Sequence, residues 1–239
     1  MQRSLLLRVP LALLCVTSFA AIPLRAQAAG AGGAGRTIDE GTFVITRHGA
    51  VVGRESFRIV RAPSPSGDVY RATAQLAIGD QRIVPSLSVD SVGTPVSYDV
   101  AVQDGPEAVR LQGRARPGRF SAMLRTRNGE STKEYAVPSN LVVLDDDIAH
   151  QLYFVTLGNR HSGSLTVIDP RSNAQTVATL ESRGTEAVEI AGKSLAAEHF
   201  ALSGPGVSKR EFWVDSAGRV LKVTAPDRGL VAQRDEIPR

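Results

Sequence analysis

Along most of this chain, apolar and polar residues alternate with a period of two. Tyr70, Ala72, Ala74, Leu76 and Ile78 share one parity, and Arg71, Thr73 and Gln75 share the other. Tyr98, Val100 and Val102 alternate with Ser97, Asp99, Ala101 and Gln103. Val109 and Leu111 alternate with Arg110, Gln112 and Arg114, and Phe120, Ala122 and Leu124 alternate with Ser121, Met123 and Arg125. Successive side chains of a strand point to opposite faces, so this period predicts strands that each bury one face. Turn residues separate the segments, at Gly79-Asp80, Asp104-Gly105-Pro106, Pro117-Gly118 and Asn128-Gly129. Asn-Gly is the strongest of these, because a tight hairpin turn needs positive φ at both central residues. Gly41 to Val137 is therefore expected to be an antiparallel meander of about eight strands.

Strands resume near Ser164–Ile168, Gln175–Glu181, Glu186–Ile190, Ser194–Leu202, Lys209–Asp215 and Arg219–Thr224. The total is about fourteen, and flat open sheets of that size are rare. The expected fold class is mainly β: an antiparallel meander curled into a half-barrel or β-roll. One segment breaks the pattern. Asp145-Asp146-Asp147 precedes Ile148, Leu152 and Val155, an i, i+4, i+7 stripe, with Gly158 placed to end it. The spacing predicts one helix over residues 147–157, capped by the acids at its positive end.

The first 28 residues read differently. Arg3 and Arg8 precede an apolar run from Val9 to Ile22, and Ala26-Gln27-Ala28 is a small-x-small pattern before Ala29. The run is shorter than the roughly 18–20 residues a membrane span needs. This is the pattern of a cleaved secretory signal, and it predicts a periplasmic or secreted protein. Residues 29–38 are expected to be a flexible Gly/Ala leader and residues 39–239 a single β domain. Removing the signal takes three arginines and no acid from 28 basic and 24 acidic residues, which lowers the formal charge from +4 to +1. That near-balance argues against nucleic-acid binding, which needs a clustered positive surface. The only cysteine, Cys15, lies in the apolar run, so the mature chain is expected to have no thiol chemistry. No later apolar run is long enough for a transmembrane helix.

Candidate chemistry is sparse. Asp145, Asp147, His150 and His161 could build a metal-dependent hydrolase, but their spacing fits no known zinc or calcium pattern. No serine sits in a Gly-x-Ser-x-Gly elbow, and no glycine-rich phosphate loop is present. The expectation is a non-enzymatic protein without a cofactor. Arg110 and Arg125 fall opposite each other across the Pro117-Gly118 turn. Facing like charges are unfavourable, and internal compensation, by Asp99 near Arg110 and by Glu130 opposite Arg127 across the Asn-Gly turn, is preferred over a bound anion. Inward positions are often small, as at Ala72, Ala74, Gly113 and Ala122. A curled sheet with such a lining leaves interior volume, to be filled either by the helix as a plug or by a ligand. The ligand reading places an apolar lipid or acyl chain among Ala72, Ala74, Leu76, Leu111, Ala122, Leu124, Ile148, Leu152, Val155 and His199. The alternative is an envelope assembly or scaffold protein that meets a protein partner.

Gly53-Arg54-Glu55-Ser56-Phe57, Leu144 to Leu152, and Trp213 to Leu221 are the stretches that resemble a known group. They are similar to exported bacterial proteins of the DUF3108 and DUF6134 type, which resemble in outline the periplasmic lipoprotein carriers of the LolA/LolB class. The resemblance implies a curved antiparallel sheet with a helix at its concave face, and an apolar ligand. It brings no catalytic residues, and this chain lacks the lipobox of a LolB-like anchor.

Overall fold

The computed structural model describes residues 35–239, so the expected signal segment lies outside the described residues. The alternating segments form fifteen strands. They are β1 (Arg36–Arg47), β2 (Ala50–Ala62), β3 (Val69–Ile78), β4 (Gln81–Asp90), β5 (Pro95–Asp104), β6 (Glu107–Arg116), β7 (Arg119–Thr126) and β8 (Gly129–Ala136). After these come β9 (Leu141–Val143), β10 (Gly163–Asp169), β11 (Ala174–Ile190), β12 (Lys193–Gly204), β13 (Val207–Val214), β14 (Val220–Ala225) and β15 (Leu230–Arg234). The protein is mainly β, with a single sheet of order β8-β7-β6-β5-β4-β3-β2-β1-β15-β14-β13-β12-β11-β10-β9. The first eight strands are the expected meander. The last six form a second meander, and β1 pairs antiparallel with β15 to join the two. Only β9 runs parallel to its neighbour β10.

Tight turns set the order of the meanders. His48 and Gly49 both have positive φ, 49° and 83°, the geometry a two-residue hairpin between right-twisted strands requires. Strand β1 starts at Arg36, so residues 36–38, expected to belong to the leader, are part of the sheet. The segments read as Gln175–Glu181 and Glu186–Ile190 are one strand, β11, with a bulge between Ser182 and Gly184. The bulge bends the β11–β12 hairpin. Its tip runs past the end of β13, and the Gln233 side chain on β15 donates to the carbonyl of Glu189 at 2.9 Å.

The sheet is open but strongly curled. Its two edge strands, β8 and β9, follow each other in the chain, separated only by residues 137–140. Side chains tie β8 to the β10–β11 turn. Lys133 Nζ donates to Asn173 O (2.6 Å), Tyr135 OH to Asn173 Oδ1 (3.2 Å), and Gln175 Nε2 to Ala136 O (3.0 Å). The concave face holds one large apolar core that includes Phe43, Ile59, Leu87, Tyr98, Phe120, Phe200 and Phe212. A small second cluster of Val188, Ile190, Ala197, Trp213 and Leu221 lies on the other face. Adjacent Phe212 and Trp213 belong to different clusters, as the strand period demands.

The predicted helix over residues 147–157 is shortened to a five-residue 3₁₀ turn, His150–Phe154, all of whose residues are buried. No side chain caps it, because the aspartates meant as caps are engaged elsewhere. Ile148, Leu152 and Val155 are buried with it. The segment is a fixed plug of the curled sheet.

Candidate functional site beside an arginine-clamped acidic plug

The plug is held by polar groups, most of them buried. Glu55, from the middle of β2, is fully buried, as is the His150 ring it meets at 2.5 Å through Nδ1. The same carboxylate accepts the backbone N–H groups of Ala149 (2.8 Å) and His150 (3.0 Å). The His150 ring stacks on Phe57, with centroids 5.6 Å apart. Asp145 is also fully buried: it accepts Tyr98 OH at 2.9 Å, and its own N–H donates to Gln151 Oε1 at 2.7 Å. Burial first, and Asp145 second, push the Tyr98 phenol well above its usual range.

Three arginines from three elements clamp the acidic triplet. Arg171, in the β10–β11 turn, bridges Asp145 Oδ1 (2.5 Å) and Asp147 Oδ2 (2.7 Å). Arg228 donates to Asp147 Oδ1 at 2.6 Å and to the carbonyl of Asp146 at 2.7 Å. Arg210 on β13, almost fully buried, pairs with Asp146, which also accepts Ser208 Oγ at 2.9 Å. Burial alone would push the Asp147 carboxyl up, but hydrogen bonds from Arg228 and Arg171 outweigh it and hold Asp147 below the ordinary carboxylate value. Asp169 lacks such a clamp, and burial together with the Asp145 charge raises it.

Beside this clamp lies a cleft of about 550 Å³. Its apolar floor is Val102, Val109 and Leu124, on the concave side of β5, β6 and β7. Its wall is Asp146, Asp147, Asp169, Arg171, Ser172 and Arg228. Val109 and Leu124 are only half-buried, unlike Leu111 and Ala122 further along the same strands. The cleft lies at the end of β6 and β7 that carries Val109, Leu124 and Thr126, whereas Leu111, Phe120 and Ala122 further along the same strands are buried.

The residues proposed from the sequence as ligand-lining are largely brought together, but in packed core. Ala72, Ala74, Leu76, Leu111, Ala122, Ile148, Leu152 and Val155 are all buried within the main core. The space under the plug, along Ile45, Leu152, Val223 and Ala232, amounts to about 20 Å³, no more than a water or so. Small inward residues are answered by large neighbours. A Cβ on Gly113 would lie 2.5 Å from the Phe120 ring, so the aromatic fills the space the glycine leaves. Leu124 alone of the proposed set lines the cleft. His199 is on the opposite face, stacked on Trp213 at 4.4 Å and 3.6 Å from both Glu186 and Glu211.

The four residues of the hydrolase alternative each have other partners. His150 is committed to Glu55, Asp145 and Asp147 to Arg171, and His161 to Glu198 on the surface. Among the described residues no group of three His, Cys, Asp or Glu side chains converges as metal ligands. Arg110 does face Arg125. The expected acids do compensate this face, but on other arginines: Asp99 pairs with Arg114 instead of Arg110, and Glu130 with Arg125 instead of Arg127. Of the residues that organise the site, Glu55 enters the sequence reading only within a resembling stretch, and Arg171, Arg210 and Arg228 do not enter it. A charged residue on the inward parity of a strand, as at Glu55, was the one available signal.

No family model matches the chain, and no curated protein matches it. Its fold is similar to the crystal structure of a β-barrel-like protein of the domain of unknown function DUF1849 from Brucella abortus. The TM-score is 0.51 and the sequence identity 11%, over 85% of this chain and 98% of that one.

Proposed function

We propose that the protein is an exported, non-enzymatic binding protein that holds an apolar lipid or acyl chain in the cleft along Val102, Val109 and Leu124. The observation that carries this reading is the half-exposure of Val109 and Leu124 beside Val102, Leu111 and Ala122, which are buried on the same concave face. A cleft of about 550 Å³ falls in the range of small-molecule sites, roughly 300–1,000 Å³. Each buried CH₂ of an acyl chain contributes about 0.8 kcal/mol. The polar wall narrows the class of ligand. Arg171 and Arg228 are both committed to aspartates, so the wall has no spare positive charge for a strongly anionic head group. A single apolar chain with an uncharged or zwitterionic head fits it. Kinship with the DUF3108 and DUF6134 type is part of the same proposal and rests on the short stretches quoted above.

Native mass spectrometry of the protein from its own envelope is the direct test. A bound lipid is expected, and Leu124→Lys is expected to lose it with the fold intact. A lipid-free protein, or a Leu124→Lys variant that retains its lipid, would remove the reading. N-terminal sequencing of the same material should begin near Ala29.

A further inference from the structure

The polar wall of the cleft is not balanced in charge. Asp146, Asp147 and Asp169 line it against Arg171 and Arg228, so carboxylates outnumber guanidiniums by one. Adding Asp145 and Arg210, which stand behind the wall, leaves the same excess. The excess falls on Asp169, the last residue of β10. Among the described residues, no basic nitrogen lies within 4.0 Å of its carboxylate. Arg171 is the cation whose charge reaches it, and that guanidinium is held by Asp145 and Asp147. Asp169 Oδ1 accepts the backbone N–H groups of Arg171 (3.0 Å) and Ser172 (3.3 Å), which shapes the β10–β11 turn. Oδ2 accepts no hydrogen bond from a described residue and is not sealed from solvent. Burial and the Asp145 charge hold the Asp169 carboxyl above its ordinary value, as expected of an anion short of a counter-ion. Its field is felt on β8, where burial first and Asp169 second push the Tyr135 phenol up to about 12.

We propose that the cleft takes an amphiphile whose head carries an ammonium group paired with Asp169, and whose apolar chain lies along Val102, Val109 and Leu124. The proposal rests on the cleft reading above and selects among the heads that the wall admits. An uncharged head leaves Asp169 without a counter-ion, and a carboxylate head meets the excess of like charge. An ammonium is a compact cation with three donors, suited to a carboxylate oxygen that has no donor of its own. A free amine and the amino end of a zwitterionic head share this chemistry. The full chain has a formal charge of +4, so a preference for a cationic head would belong to the cleft and not to the net charge of the molecule.

The test is calorimetric titration of protein from cells expressing the full chain, stripped of resident lipid on a hydrophobic resin. The probes share one chain length and are kept below their micellar concentrations: decylamine, decanoyl lysophosphatidylethanolamine, decanol and decanoate. The ammonium probes are expected to bind about tenfold more tightly than decanol, and decanoate to bind most weakly. Asp169→Asn keeps the acceptor that the turn needs, and should bring the ammonium probes to the affinity of decanol without lowering the thermal melt. Asp80→Asn, on the β3–β4 turn, should leave the preference unchanged. Preference for one ammonium probe alone would support the proposal and identify the free amine or the zwitterion as the source of the head. Decanol or decanoate bound as tightly as both ammonium probes, or an Asp169→Asn protein that keeps the preference, would overturn the proposal and leave the cleft reading standing. Failure of every probe to bind would remove both. Leu124→Lys separates the two in the other direction: it should weaken decanol as well, which Asp169→Asn should not.

Discussion

At the scale of single residues, the most consequential side chain is Glu55. It satisfies two backbone N–H groups and the His150 ring from the centre of the core. Removing a buried acceptor leaves its donors without partners or water, which costs far more than the net worth of the bonds. Glu55→Ala is expected to destabilise the fold by about 3–5 kcal/mol in chemical denaturation. A loss under about 1 kcal/mol would mean that the plug does not depend on it. Asp147 gives a pH-dependent counterpart. Its carboxyl is held below the ordinary value by Arg228 and Arg171. A carboxylate depressed in the folded state contributes stability above its unfolded value, near 3.9, and loses it as pH falls through the folded value. Asp147→Asn should therefore be less stable than the parent at pH 7, by about 3 kcal/mol. The gap should narrow only below pH ~4. Raised Asp39 and Asp169 work in the opposite sense, so the difference between the two proteins, not either curve alone, carries the test. A gap constant down to pH ~2 would contradict the clamp.

At the scale of elements, the β2–β7 strands were legible because each buries one parity against a single core, and local turn chemistry joins each to the next. The helix was misread for a physical reason. Its apolar stripe is real, but Asp145–Asp147 are drawn to arginines contributed by distant parts of the chain, and Glu55 takes the backbone donors that a cap would satisfy. No local window contains those partners. The same limit hid the cleft wall, where Arg171 and Arg228 arrive from elements far along the chain from Leu124. Side-chain size also misled. Small inward residues implied free volume, yet Phe120 lies where a Gly113 Cβ would be. Gly113→Ala is therefore expected to cost about 1–3 kcal/mol through displacement of Phe120, read as a lowered melting temperature. Ala122→Trp should destabilise rather than merely block a ligand, because Ala122 is packed in the core. Gly113→Ala with an unchanged melt would show that the Phe120 ring has somewhere else to go.

At the scale of the whole molecule, the curled sheet is unequally anchored. β1, β2, β12 and β13 bury Phe43, Phe57, Phe200 and Phe212 on the concave face, whereas β8 buries only Tyr135 and exposes its other seven residues. Edge strand β9 is wholly buried and so protected from pairing with other chains, while β8 is blunted by Glu130, Lys133 and Glu134. Local opening free energy follows buried apolar contact, so the β6–β8 end is expected to open first. Amides of β7 and β8 should exchange with deuterium well before those of β1, β13 and β14, at a rate set by sub-global opening rather than full unfolding. Tyr135→Ala, which removes the one buried anchor and its bond to Asn173, should speed β8 exchange further and leave β13 unchanged. The opening strands form the floor of the cleft, so the same measurement reports on function. If an acyl chain lies along Val109 and Leu124, adding a single-chain amphiphile should slow exchange in β6 and β7 selectively. Uniform exchange across the sheet would contradict the graded anchoring, and protection confined to β13–β15 would place the ligand away from the cleft.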